Sequence, residues 1–438
     1  MNTNNTKFTF NKKGFALSLA CVSLLATAGN AEITGTDVTA ATAGSTAYNI
    51  TAASPSGSIA VTGNNTSLGF VTNANVYISA GKPLTIEGNG QIGTLNVWNA
   101  SKDKGFNLSG AGLTFNTKIG TLNLGTAAQP GASGAITMGS GGALTIKNTV
   151  GTINLNNIIH TNQKGSGATI TLDQATITNF NFNKLITGNA DSGSDLNIKN
   201  TSGVITNFTI DEKGGYQVSG DGSKASGGFT LTNSGTITKF TNNGLLEGGD
   251  KSAVKIESTG TIGTFENAGK INTATISGSS IGTFTNTASG AINNSTIKVN
   301  VDDFNNLGTI TTAADSTIKV SNSFNNAEKA NFTLNGTLTL QGAADVKDAK
   351  TTFNNAGNFS NGTISINGNV LAFNNTATGM IKNSTINGTG TIQAFTNAGV
   401  ISSDGKVVKT LTVNATDFTN EKTIKFVSGS ITIAADNF

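Results

Sequence analysis

Residues 304–324 read Phe304-Asn305-Asn306-Leu307-Gly308-Thr309-Ile310, then six small or polar residues, then Thr317-Ile318-Lys319-Val320 and Ser321-Asn322-Ser323-Phe324. Apolar residues alternate with Thr, Lys and Asn, the period of a strand with one buried face. Gly308 and the asparagines suit the corners between short strands. Phe324 then restarts the phrase after 20 residues. A unit this small cannot bury its apolar face alone, so copies of it must stack.

Working outward, the same phrase recurs over most of the chain. Its anchors are Leu95, Leu122, Ile153, Phe180, Phe208, Phe240, Phe265, Phe284, Phe304, Phe324, Phe353, Phe373, Phe395 and Phe418. Up to Phe265 an aliphatic residue stands three positions earlier, as in Ile262-Gly263-Thr264-Phe265; among the later anchors it is often lost. The anchors lie 25 to 32 residues apart as far as Phe265, and then mostly 19 to 23 apart. A second alternating strand recurs as Thr296-Ile297-Lys298-Val299, Thr337-Leu338-Thr339-Leu340 and Thr363-Ile364-Ser365-Ile366.

Short strands, three to a turn of about 20–25 residues, predict an all-β fold: a single-stranded parallel β-helix. Rungs about 4.8 Å apart would give some 14 to 17 turns and a rod roughly 70–80 Å long. The repeated Phe would form an internal aromatic stack, and Asn repeated at a corner would form an amide ladder. Only 3 of 438 residues are proline, which fits, because proline cannot donate to a ladder.

The N-terminus has a different character. Lys7, Lys12 and Lys13 precede an apolar run from Phe15 to Ala28, and Gly29-Asn30-Ala31 supplies small residues. This is the pattern of a secretory signal peptide cleaved after Ala31. Cys21 lies inside the apolar run and reads as an ordinary signal residue. The expected organisation is a signal peptide at 1–31, an N-terminal cap with the first rungs at 32–91, and the repeat domain at 92–438. Repeat-like sequence runs to the last residues, so the C-terminus reads as truncated from a longer protein.

Composition excludes several classes. The chain has one Cys and one His, so neither a disulfide scaffold nor a Cys/His metal site is expected. It has no arginine, and without the three signal lysines 24 lysines balance 24 acids. A neutral chain has no electrostatic case for nucleic acid.

The export signal, the Asn/Gly/Thr-rich composition and the phrase Phe-Asn-Asn-x-Gly-x-Ile resemble autotransporter passenger domains. Phe304 to Ile310 and Phe395-Thr396-Asn397-Ala398-Gly399-Val400-Ile401 carry the likeness. The repeat style is similar to that of the vacuolating-cytotoxin-like autotransporters, over roughly residues 90–438. The resemblance implies a periplasmic route to the cell surface and an outer-membrane translocator barrel. This chain carries no run of the ~10-residue membrane strands such a barrel needs, so that partner is expected but absent here.

Candidate catalytic groups are few. Asp191-Ser192-Gly193-Ser194 resembles part of a serine-protease motif, but Ala190 stands where Gly belongs and His160 is the one possible base. Asp302-Asp303 is the adjacent acidic pair that a polysaccharide-cleaving β-helix would need, and it requires further acids on neighbouring rungs. Trp98 is read as a core or cap residue, and Gly220-Asp221-Gly222-Ser223 as a turn. Gly81-Lys82 lacks the spacing of a phosphate loop. The expectation is therefore a non-enzymatic exported surface rod with no cofactor, metal or small-molecule substrate. It would meet host cells or its own copies through outward polar rows or through loops at Thr161–Gly167 and Gly214–Gly227. A toxin-like passenger is the alternative, and a carbohydrate-active enzyme the more distant one.

Overall fold

The computed structural model describes residues 253–438 without interruption. Before that it describes 84–99, 112–125, 142–156, 168–189, 195–219 and 228–249, with shorter strands between 32 and 79 and at 106–109, 136–138 and 158–160. The signal-peptide reading at 1–31, with its cleavage at Ala31, lies outside the described residues. So do Thr161–Gly167, Asp191–Ser194, Gly220–Ser223 and Gly81-Lys82.

The architecture is a parallel β-helix. One turn shows how it is built. The anchor strand Thr261–Asn267 turns at Gly269 into the short strand Lys270–Asn272. The strand Ala274–Asn286 then carries the third face and runs on into the next anchor, Phe284. Each strand pairs in parallel with its successor one turn later: Phe265 with Phe284, Ile271 with Ile292, Ile276 with Ile297. Alternation from Thr264 onward puts Phe265 and Asn267 inside while Thr264 and Glu266 face outward, and a break in the alternation at Gly263-Thr264 lets Ile262, three residues before Phe265, face inward as well.

Parallel stacking reaches back before residue 91. Gly57–Thr62 and Leu68–Thr72 both pair in parallel with Leu84–Asn99. Antiparallel pairs occur at the N-terminal end, between Glu32–Thr34 and Gly57–Thr62 and between Val38–Ala40 and Ala47–Ile50.

The core is a set of columns running along the axis. One holds the anchors. A second lies on the short-strand face and runs Ile186, Tyr216, Leu246, Ile271, Ile292, Ile310, Phe332, Phe359, Ile381, Ile401 and Ile424. Phe332 meets Phe304 and Phe324 edge to face across the core, with centroids 5.7 and 5.5 Å apart.

Two sequence expectations are corrected. Thr296 and Thr317 are not equivalent: Lys298 pairs with Thr317, and Val299 with Ile318. The shift is two residues, which keeps the alternation in phase, so every apolar side chain still faces inward. At Phe324 the aliphatic position also persists where spacing suggests its loss, whereas before Phe353 the buried residue is Thr351. Val301 pairs with Val320, and one extra residue between Val320 and Phe324 restores register at Asp303 and Ser323.

Candidate functional site

All fourteen anchors fall in one register column, each opposite the next from Leu95 to Phe418. From Phe180 onward the rings of successive rungs stack with centroids 4.3 to 5.5 Å apart and planes within 17°. Rung spacing and ring spacing agree because parallel pairing holds equivalent atoms about 4.8 Å apart.

Two residues after each anchor stands a second column, and its chemistry changes along the rod. In the early rungs it is apolar: Val97, Leu124, Leu155, Phe182 and Ile210. From Asn242 it is asparagine at every turn, through Asn267, Asn286, Asn306, Asn326, Asn355, Asn375 and Asn397 to Asn420. Each Nδ2 donates to the Oδ1 of the next rung at 2.7 to 3.0 Å. The other amide hydrogen reaches a main-chain carbonyl, as from Asn306 to Asn331 and from Asn326 to Asn358, both at 3.1 Å. The amides thus bury without loss of hydrogen bonding. The first rung is the exception: Asn242 Oδ1 has no donor, because the residue beneath it is Ile210.

Outward asparagines make ladders of the opposite sense. Asn325 donates back to Asn305, Asn354 to Asn325 and Asn374 to Asn354, each at 2.9 Å. Asn154 and Asn181 do the same from Asn123 upward. Glu247 accepts from Gln217 at 2.6 Å and from Asn272 at 3.3 Å. Two ion pairs are seen among the described residues, Lys147–Asp173 and Lys239–Glu266. Both are partly solvated and contribute little.

Of the candidate catalytic residues, the side chains of Asp302 and Asp303 are described. Asp302 is exposed and accepts from Ser321 at 2.7 Å. Asp303 accepts from Asn322 at 2.7 Å and Ser323 at 2.6 Å. The rung partners of Asp303 are Thr283 and Ser323, so no acid is stacked beside it. Among the described residues no three His, Cys, Asp or Glu side chains come close enough to hold a metal. His160 ends the strand Ile158–His160 opposite Met138, and the backbone of Trp98 lies opposite Val71; their side chains lie outside the described residues.

The expected loop at Gly214–Gly227 is corrected over its first part. Gly215–Ser219 is a strand of the short-strand face, and Tyr216 within it is fully buried, stacked on Phe229 at 5.5 Å. Burial, with the nearby Asp195 carboxylate, pushes the Tyr216 phenol well above its ordinary range. Sequence reasoning passed over Tyr216. Its signal was its place in the Ile/Leu column of the short strands, which follows each anchor by six or eight residues; Tyr216 stands eight after Phe208.

No family model, no curated protein and no solved structure matches this chain.

Proposed function

We propose that the chain is an exported cell-surface structural and adhesive protein, a stiff rod similar in plan to an autotransporter passenger. The observation that carries this reading is the unbroken anchor column from Leu95 to Phe418, which spans roughly 60 Å at one rung per 4.8 Å. A column stacked in register through every rung resists bending, as a spacer must. The outward rows of Thr, Asn, Ser and Lys repeat with the same period, so many weak contacts along one rod can add by multivalency. The Lys-rich apolar N-terminus supports export.

The test uses antibody against the purified protein on intact and permeabilised producing cells, together with adhesion assays in a gene deletion. Labelling of intact cells and reduced adhesion are expected. Labelling confined to permeabilised cells, or adhesion unchanged by the deletion, would refute the proposal.

A further inference from the structure

A shallow groove of about 580 Å3 lies on the third face, across the strands Ser316–Asn326, Gly336–Gln341, Thr363–Asn367 and Thr385–Gly388. Its floor is Ile366 and Gly388. A Cβ at Gly388 would collide with the backbone and Cβ of Ile366. There the chain leaves the sheet, and Thr389 N hydrogen-bonds to Ile366 O at 3.1 Å. The hollow opens beside this turn.

Two columns line it. Lys319, Thr339, Ser365 and Asn387 stand opposite one another in successive rungs, and Gln341 stands opposite Asn367 beside them. None of these six side chains has a hydrogen-bond or ion-pair partner among the described residues. That sets them apart from the outward asparagines 305, 325, 354 and 374, which satisfy one another in a ladder. Unused amide and hydroxyl groups are thus gathered in one concavity. No carboxylate and no aromatic ring lines it, and its single charge is Lys319.

This chemistry selects among ligands. A nucleic acid needs a row of cations and stacking rings, and the groove has one lysine and no ring. A peptide needs side-chain pockets or an open sheet edge, and the groove lies on a sheet face with one apolar floor residue. A carboxamide offers a donor beside an acceptor, the arrangement that adjacent sugar hydroxyls complement. Rungs about 4.8 Å apart are close to the length of one sugar residue, so successive sugars meet successive rungs.

We propose that this groove binds an acidic oligosaccharide, with Lys319 pairing a uronate carboxylate and Gln341, Asn367, Asn387, Thr339 and Ser365 holding sugar hydroxyls. The inference deepens the adhesive reading and rests on it for the place where such a polymer is met.

The experiment is titration calorimetry of the purified full chain with alginate- and hyaluronan-derived hexasaccharides, with maltohexaose as the neutral probe. At least one acidic hexasaccharide should bind at least tenfold more tightly than maltohexaose. Lys319→Gln should weaken it about tenfold or more, as should the pair Asn367→Ala and Asn387→Ala. Lys298→Gln, on the same face but outside the groove, should change nothing. All four substituted side chains are solvent-facing, so circular dichroism and urea midpoints should stay at wild type. The proposal is overturned if neither acidic probe binds, if maltohexaose binds as tightly, or if Lys319→Gln and Lys298→Gln bind alike. Lys319-dependent binding with cell adhesion unchanged would uphold the groove and remove the adhesive role.

Discussion

Replacing Asn306 and Asn242 by leucine makes the same chemical change in the same column, yet the structure assigns the two substitutions different costs. Asn306 is fully buried and makes three hydrogen bonds: from Asn286 at 3.0 Å, to Asn326 at 2.9 Å and to the Asn331 carbonyl at 3.1 Å. Asn306→Leu removes all three and strands Asn326 Oδ1. Three bonds at about 1 kcal/mol each and a stranded acceptor at about 1–3 kcal/mol outweigh about 1.5–3 kcal/mol from the new apolar surface. The expected net loss is about 2–3 kcal/mol.

Asn242→Leu also strands an acceptor, Asn267 Oδ1, but it removes one that already lacks a donor. The two effects cancel. The lost bonds, at 2.8 Å to Asn267 and 3.4 Å to the Lys270 carbonyl, cost about 1–2 kcal/mol, which the leucine largely offsets. Asn242→Leu should stay within about 1 kcal/mol of wild type. Urea unfolding followed by circular dichroism measures the difference. Hydrogen exchange by rung accompanies it, because stacked arrays can open locally. Equal losses in the two variants, or a loss at Asn306 below about 0.5 kcal/mol, would refute the reasoning.

Other consequences are as direct. Phe324→Ala should cost about 3–5 kcal/mol, since it empties a site stacked on Phe304 and Phe353 and touched edge-on by Phe332; the urea midpoint reads it. Gly308→Ala should destabilise strongly, because its Cβ would sit on the carbonyl oxygens of Thr287 and Gly290 in the rung below, and loss of exchange protection should centre on that corner. Tyr216 should be silent in an alkaline titration at the tyrosinate absorbance until the rod unfolds, leaving at most the other two of the three tyrosines to titrate. Its folded pKa lies above the unfolded value near 10. Its contribution to stability is therefore complete below pH 10 and falls as pH rises beyond it; a Tyr216 signal with native circular dichroism would contradict this.

The anchor column was legible because phenylalanine is conspicuous against Thr, Ser, Asn and Gly, and because its spacing is tied to the length of a turn. The buried amide ladder was legible in kind from the repeated Phe-x-Asn. Its starting point was not, although Phe182 and Ile210 at the same offset from their anchors mark the switch. The shift between Val299 and Ile318 was hidden because a displacement of two residues leaves the apolar pattern unchanged. The groove depends on where the chain leaves the sheet after Gly388, and on which polar side chains their neighbours leave unpaired. Neither is written in any local pattern.

The buried amides all point one way. Every rung from Asn267 to Asn397 offers an acceptor to the turn before it and a donor to the turn after it. The two surfaces of such a rung are therefore complementary to each other and to those of its neighbours. A duplicated turn inserted among them meets the same groups its template met, and a deleted turn brings matching groups together. In this segment length can change in whole turns with the joints left intact, whereas a turn moved below Asn242 would meet the apolar column of Ile210 instead.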